Sequence, residues 1–214
     1  MTAIKVCGIT NVKDALMCAE LGVDLIGINF CSQSPRFVDV REAETIINKT
    51  KKEFPRVETV GVFQNEQEEK LIRICQKTGI DLIQLHGDES KSYQINVRDK
   101  TGKQLIKAVR LKDDCSFTNL RNISADYILL DSFHPKKYGG TGIPLDNTLA
   151  LKAMRSLKGK RVILAGGINQ SNVKEFLELN PFAIDINSGV EASIGKKDSN
   201  KIRSIVSIIK GELK

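Results

Sequence analysis

Cys7 stands where a short apolar run meets a glycine, in the stretch Lys5-Val6-Cys7-Gly8-Ile9-Thr10. A thiol with an ordinary pKa near ~8.5 is a usable base once a neighbouring cation or helix terminus favours its ionised form. A small packed hydrophobe is the plain alternative, and position alone does not separate the two. Asp131 ends a second apolar run, Tyr127-Ile128-Leu129-Leu130. A carboxyl group half enclosed by apolar walls suits a general acid near neutrality, and an ordinary aspartate capping the next loop is the alternative. An acid and a base on opposite sides of a small ligand are what the relocation of a proton requires. Three further side chains stand in similar places. Arg36, in Ser34-Pro35-Arg36-Phe37-Val38, carries a planar fork that grips a carboxylate, or is a surface residue after a proline turn. His86, in Gln84-Leu85-His86-Gly87, offers a donor to a ligand or only to its own loop. Asp185 is placed to orient a hydroxyl or to tether a loop.

Glycines add a second kind of chemistry. Gly166–Gly167 and Ser188–Gly189 each follow an apolar run late in the chain. Without a Cβ, backbone N–H groups can come close to an anion, and a following helix N-terminus adds positive potential. Phosphate is the natural guest, and tight chain reversal is the alternative. A third glycine stretch, Gly139-Gly140-Thr141-Gly142, is long enough to act as a mobile cover or is a passive turn.

These residues need a scaffold that brings them to one place. Short β-branched and aliphatic runs recur at 4–7, 25–30, 58–63, 82–85, 104–109, 127–130, 162–165 and 183–186. Helical patterns separate them. Leu71, Ile72 and Cys75 are expected to share one face, and Ile202, Ile205, Val206 and Ile209 form an i, i+3, i+4, i+7 stripe. Asn11 and either Ser171 or Asn172 suit helix N-caps. Continuous apolar strands alternating with amphipathic helices imply a parallel sheet covered by helices. Eight such units predict a single α/β domain over residues 1–214, closed as a (β/α)8 TIM barrel. A doubly wound open sheet is the rival, but the first strand is followed by no G-x-G-x-x-G. In a barrel the site lies at the C-terminal ends of the strands, and there Cys7, Arg36, His86, Asp131, Asp185 and the glycine pairs gather.

Composition narrows the class. No apolar run approaches the length of a membrane span, and the first twenty residues contain Asp14 and Glu20 rather than a signal peptide's apolar block. A cytoplasmic enzyme without membrane contact is expected. Five scattered cysteines never form a C-x-x-C pair, which argues against a disulfide framework or a zinc site, and Cys18 and Cys75 are expected in the core. The net charge of +7 favours anionic partners. The basic clusters are short and dispersed and aromatic residues are only 5%, so a phosphorylated metabolite is favoured over nucleic acid.

Taken together the strand ends resemble phosphoribosylanthranilate isomerase of tryptophan biosynthesis. The resemblance rests on KVCGIT (5–10), SPRFV (34–38), VGVFQN (60–65), IQLHGDE (83–89), LLDS (129–132), GGTG (139–142), LAGGIN (164–169) and SGVEASIGKKD (188–198), in that order. It implies an Amadori rearrangement with no metal or organic cofactor, in a monomer or homodimer. It further implies that Cys7 is the general base and Asp131 the general acid. Arg36 would lie near the anthranilate carboxylate, and Gly166, Gly167, Ser188 and Gly189 would hold the phosphate. Asn29, Leu145-Asp146-Asn147 and Asn187 depart from the family pattern. An indole-glycerol-phosphate synthase would want a catalytic lysine, for which Lys5 is expected to point the wrong way and Lys107 lies mid-strand. A sugar-phosphate epimerase would want metal-binding histidines, of which the chain has too few. A non-catalytic binder of phosphometabolites or nucleic acid is the alternative outside enzymes.

Overall fold

Each of the eight apolar runs forms a strand: β1 (Ala3–Cys7), β2 (Leu25–Asn29), β3 (Glu58–Phe63), β4 (Leu82–Leu85), β5 (Gln104–Leu111), β6 (Tyr127–Ser132), β7 (Arg161–Leu164) and β8 (Ala183–Ile186). This structure, a computed structural model, describes residues 1–112, 120, 123–132 and 145–211. The strands follow one another in chain order around the sheet, and β1 pairs in parallel with both β2 and β8. The sheet therefore closes, as expected of a (β/α)8 barrel.

Seven α-helices cover the outside among the described residues: α1 (Val12–Glu20), α2 (Val40–Glu53), α3 (Glu68–Thr78), α4 (Lys91–Thr101), α5 (Asn147–Ser156), α6 (Val173–Leu177) and α7 (Ser199–Lys210). Their starts are set by side chains that accept the first free backbone N–H groups. Asn11 accepts from the Asp14 N–H, Asp39 from Arg41 and Glu42, Ser90 from Tyr93, Asp146 from Leu149 and Asp198 from Asn200 and Lys201. Asn172 precedes α6 but makes no capping bond. Its side chain instead accepts from the Asn169 N–H at 2.8 Å and donates to the Gly167 carbonyl at 3.1 Å, bracing the loop after β7. The buried stripe of α3 is Leu71, Ile74, Cys75 and Thr78, whereas Ile72 lies at its edge. The α7 stripe is buried as expected.

Apolar packing falls into two shells. The larger lies between barrel and helices and contains Ile4, Val6, Ile26, Ile28, Ile83, Leu85, Ile128, Leu130, Ile184 and Ile186 together with Cys18 and Cys75. The smaller fills the barrel with Leu25, Val60, Leu82, Ile106, Ala108, Tyr127, Leu129, Ile163, Ala165 and Ala183, with Ala3 packed against it. Side chains alternate across a strand. Ala3, Lys5 and Cys7 therefore share the inner face of β1, and Leu129 and Asp131 the inner face of β6. The expectation for Lys5 is thus corrected: its ammonium points into the barrel, fully buried, and donates to Asp185 Oδ1 at 2.9 Å. Lys107 faces the outer shell, where it is buried against Glu89 at 2.8 Å.

Candidate active site

Cys7 closes the inner face of β1, one pleat above the Lys5–Asp185 pair, and is buried. Burial pushes its thiol above the ordinary range. The positive charges of Lys5 and Lys197 oppose that shift, and the Asp185 carboxylate adds to it. Burial likewise works against the charge on Lys5, but Asp185 and Cys7 outweigh it and hold the ammonium above its usual range. The chain then turns at Gly8, whose φ of +74° lies in the left-handed region. A Cβ there would stand 2.5 Å from Arg36 Cδ and 2.7 Å from Asn187 Oδ1. Gly8→Ala is therefore expected to destabilise the fold by about 1–3 kcal/mol through backbone strain, read from the midpoint of urea unfolding.

Asp131 ends the inner face of β6 and is also buried. Its Oδ1 accepts the Ser132 N–H at 2.8 Å, and its Oδ2 lies 3.3 Å from His86 Nε2. The other ring nitrogen, His86 Nδ1, lies 2.8 Å from Gln84 Nε2. An amide nitrogen only donates, so with this orientation of the Gln84 amide Nδ1 accepts, and a neutral ring carries its proton on Nε2, aimed at Asp131. His86 thus sits on the candidate acid. Gln84 is almost fully buried beneath it, an inner-face residue that motif reasoning passed over.

Arg36 comes from the loop after β2 and is buried. Its Nε and Nη2 donate to Glu191 Oε1 and Oε2 at 2.7 and 2.6 Å. Those hydrogen bonds hold the guanidinium above its ordinary value. The side-on edge of the fork is therefore committed, and the Nη1–Nη2 edge remains for a second carboxylate. Glu191 begins β9 (Glu191–Ser193), which pairs with β10 (Lys196–Lys197) in a hairpin after β8. Lys197 Nζ reaches the same carboxylate at 3.1 Å. Burial would raise the Glu191 carboxyl, but bonds from Arg36 and the charge of Lys197 hold it below the usual range. Glu191 and Lys197 both lie inside the motif at 188–198, yet nothing in the sequence pairs them with Arg36.

The two glycine loops meet beside Asp131. Gly166 has φ +95°, and a Cβ on it would stand 2.8 Å from the Ser132 nitrogen and 3.0 Å from Asp131 Oδ1. Gly189 belongs to a 3-10 turn, Ser188–Val190, and packs directly on the Ile168 carbonyl of the loop after β7. Gly166, Gly167, Ser188 and Gly189 are all half-buried, between core and solvent. The stretch 139–142 lies outside the described residues. The departures from the family pattern are absorbed locally. Asn29 accepts from the Cys31 N–H and donates to Ser34, Asp146 caps α5, and Asn187 accepts from Lys197 at 3.0 Å.

Among the sequence-expected residues, Cys7, Arg36, His86, Asp131, Asp185 and the glycine pairs are thus all gathered at the C-terminal half of one barrel, with Asp185 one layer below the rim. Lys5, Gln84, Glu191 and Lys197 are buried polar partners that the strand-end survey missed. For Lys5 a signal was available: a residue two positions from an inward-facing Cys7 must also face inward.

Known proteins bear on what this arrangement does. A family model described as N-(5'-phosphoribosyl)anthranilate (PRA) isomerase matches residues 4–208. The N-(5'-phosphoribosyl)anthranilate isomerase of Geobacter sulfurreducens is 37% identical over 214 residues, covering 99% of this chain and all of that one. The crystal structure of phosphoribosyl anthranilate isomerase from Thermotoga maritima superposes with a TM-score of 0.88 at 33% identity, covering 99% of this chain and all of that one. Another structure of such an isomerase, in complex with reduced 1-(o-carboxyphenylamino)-1-deoxyribulose 5-phosphate, gives 0.85 at 32% identity, with 99% and 100% coverage. These matches set aside the synthase, epimerase and non-catalytic alternatives. Matched by the family model over nearly all of its length, the chain belongs to the N-(5'-phosphoribosyl)anthranilate isomerase family.

Proposed function

We propose that this chain converts N-(5-phosphoribosyl)anthranilate to 1-(2-carboxyphenylamino)-1-deoxyribulose 5-phosphate in tryptophan biosynthesis, with Asp131 as general acid and Cys7 as general base. Asp131 protonates the furanose ring oxygen. The anilino nitrogen pushes its lone pair onto C1, the C1–O bond breaks, and an open-chain Schiff base forms. The Cys7 thiolate then removes the proton from C2, and the electron pair moves between C2 and C1 to neutralise the iminium. The resulting enolamine loses its hydroxyl proton and gains one at C1, leaving a ketone at C2. C1 is reduced and C2 oxidised within one molecule. Arg36 offers its free edge to the anthranilate carboxylate, and the loops at Gly166–Gly167 and Ser188–Gly189 take the phosphate. His86 steadies Asp131, and Asp185 fixes the Lys5 charge beneath Cys7.

The observation that carries this reading is the pairing of an inward-facing thiol and an inward-facing carboxyl at the same rim of a closed barrel, next to two abutting glycine loops. The chain acts as a single-domain enzyme over residues 1–214, as a monomer or homodimer, in the cytoplasm, on a small-molecule substrate. No helix among the described residues is long and apolar enough to cross a membrane. The direct test is the decay of anthranilate-linked fluorescence when substrate and protein are mixed. Fluorescence that stays constant at all protein concentrations would end the proposal.

The protonation state of Cys7 gives a second test. A thiol held above its ordinary value is mostly protonated at neutrality. The competent thiolate then grows about tenfold per pH unit below the thiol pKa, so kcat/KM should climb with pH from neutrality into the alkaline range. A profile that is flat there speaks against Cys7 as base.

A further inference from the structure

We propose that Glu89 and Lys107, a buried ion pair outside the barrel, are positioning residues that fix the backbone on both sides of His86 and so place its ring on Asp131. The inference rests on the reading of Asp131 as the general acid.

The two side chains meet at 2.8 Å, and both residues are buried. Lys107 stands on β5 in register with Leu85 of β4. Its Nζ donates to the Leu85 carbonyl at 3.3 Å and to the Gly87 carbonyl at 2.6 Å. Glu89 grips the same segment by its donors. Its Oε1 and Oε2 accept the Gly87 N–H at 3.0 and 3.1 Å, and Oε1 also accepts the Asn65 N–H at 2.9 Å. Between these bonds the His86 N–H donates to the Phe63 carbonyl of β3 at 2.8 Å. A Cβ on Gly87 would stand against Asn65 Oδ1 and 2.7 Å from Glu89 Oε1, so glycine is what admits the carboxylate this closely. Asn65 adopts a left-handed φ of +48°, and its Oδ1 accepts the Asp88 N–H at 2.7 Å. Gln94 on α4 holds the Glu89 carbonyl at 3.2 Å.

Where these bonds end shows what the pair is for. Replacing a buried ion pair by well-packed apolar side chains commonly costs little stability, so burial of the pair is weak evidence for a stabilising role. What the two charges add here is direction. Among the described residues, every hydrogen bond of the two side chains, apart from the one between them, ends on the backbone of residues 65, 85 or 87. Leu85 packs into the outer core and Gly87 has no side chain, so His86 is the residue of this segment that reaches the site. Its Nε2 lies 3.3 Å from Asp131 Oδ2, and its Nδ1 lies 2.8 Å from Gln84 Nε2. Gln84 sets the ring, and the ion pair sets the backbone that carries it. A displacement of about 1 Å that starts far from the chemistry can lower a rate about 10²-fold, so the fixing of this backbone bears on turnover.

The test uses Lys107→Met and the paired Glu89→Gln, Lys107→Met variant in the full chain, each with His86 present and in a His86→Ala background. With His86 present, kcat of the folded protein should fall about tenfold or more at a KM near the parent's, because Arg36 and the glycine loops proposed to hold the substrate are not touched. In the His86→Ala background the same changes should lower kcat no further, as expected of groups that act through that one residue. A second readout needs no turnover. The chain has two histidines, so nuclear magnetic resonance of isotope-labelled histidine, with His86→Ala as the control, identifies the His86 Nε2–H signal. That signal should shift or broaden in Lys107→Met. If Lys107→Met does not fold, the paired variant decides, since it leaves no buried charge without its partner. A parental kcat or an unmoved Nε2–H signal in the folded variant means that the pair only braces the loop, and overturns the inference. A loss of kcat that persists undiminished without His86 also overturns it. Failure of the underlying reading looks different, because Asp131→Asn would then retain turnover while the His86 signal still responds to Lys107→Met.

Discussion

Replacing Cys7 with alanine is expected to lower kcat by about 10²–10⁴-fold, and Asp131→Asn by a similar factor, the ordinary range for loss of a positioned base or acid. The two losses have different chemical origins. Without Cys7 the Schiff base still forms but keeps its C2 proton. Without Asp131 the ring oxygen leaves unprotonated and ring opening slows. Because they act in one reaction sequence, the double variant should lose less than the product of the single losses. Asp131→Asn is nearly isosteric and retains an oxygen for the Ser132 N–H or for His86, so circular dichroism and the unfolding midpoint should change little. Turnover is measured from anthranilate fluorescence, and rescue of a strain lacking the isomerase on medium without tryptophan gives an independent check. Near-normal turnover in both variants would remove both assignments.

Lys5→Met should produce the largest loss of stability, about 3–5 kcal/mol, because it leaves the Asp185 carboxylate buried without its partner. The Lys5→Met, Asp185→Leu double variant should recover much of that loss. A buried ion pair gains little over a well-packed apolar pair once desolvation is counted, even though breaking it from one side is severe. Urea unfolding measures both variants. A single variant as stable as the parent would mean that the lysine is not sealed inside the barrel. Lys5 thus places a positive charge beneath the Cys7 thiol that works against the effect of its burial, while the Asp185 carboxylate that holds the lysine acts the other way.

The buried polar groups of the barrel and of the hairpin after β8 belong to function as much as to folding. Lys5, Gln84, Asp185, Glu191 and Lys197 are all nearly sealed from solvent, in a shell where aliphatic side chains would pack with less risk. Each touches a proposed catalytic or binding group or its immediate partner. Their placement is consistent with strain and charge being concentrated at the site while the outer shell, rich in isoleucine and leucine, carries stability.

By itself the sequence determined the elements. Apolar runs mark all eight strands to within two residues at either end, because a strand buried on both faces must be apolar along its length. Asn11 and the α7 stripe were legible for the same reason: capping and helical periodicity act over three to seven residues. The site residues were legible because barrel chemistry sits at strand ends, and a strand end is a local feature. Ile72 was misplaced by one step of the helical stripe, and Asn172 gave its side chain to a loop rather than to a cap. Only the tertiary structure decided the polar partnerships. Lys5 meets Asp185 across 180 residues of chain, Arg36 meets Glu191 across 155, and the Lys197 backbone meets Asp14 across 183. Such contacts have no local signature. They exist because closure of β1 against β8 brings the two ends of the chain together, and the charges found there are settled by what the closed barrel can bury.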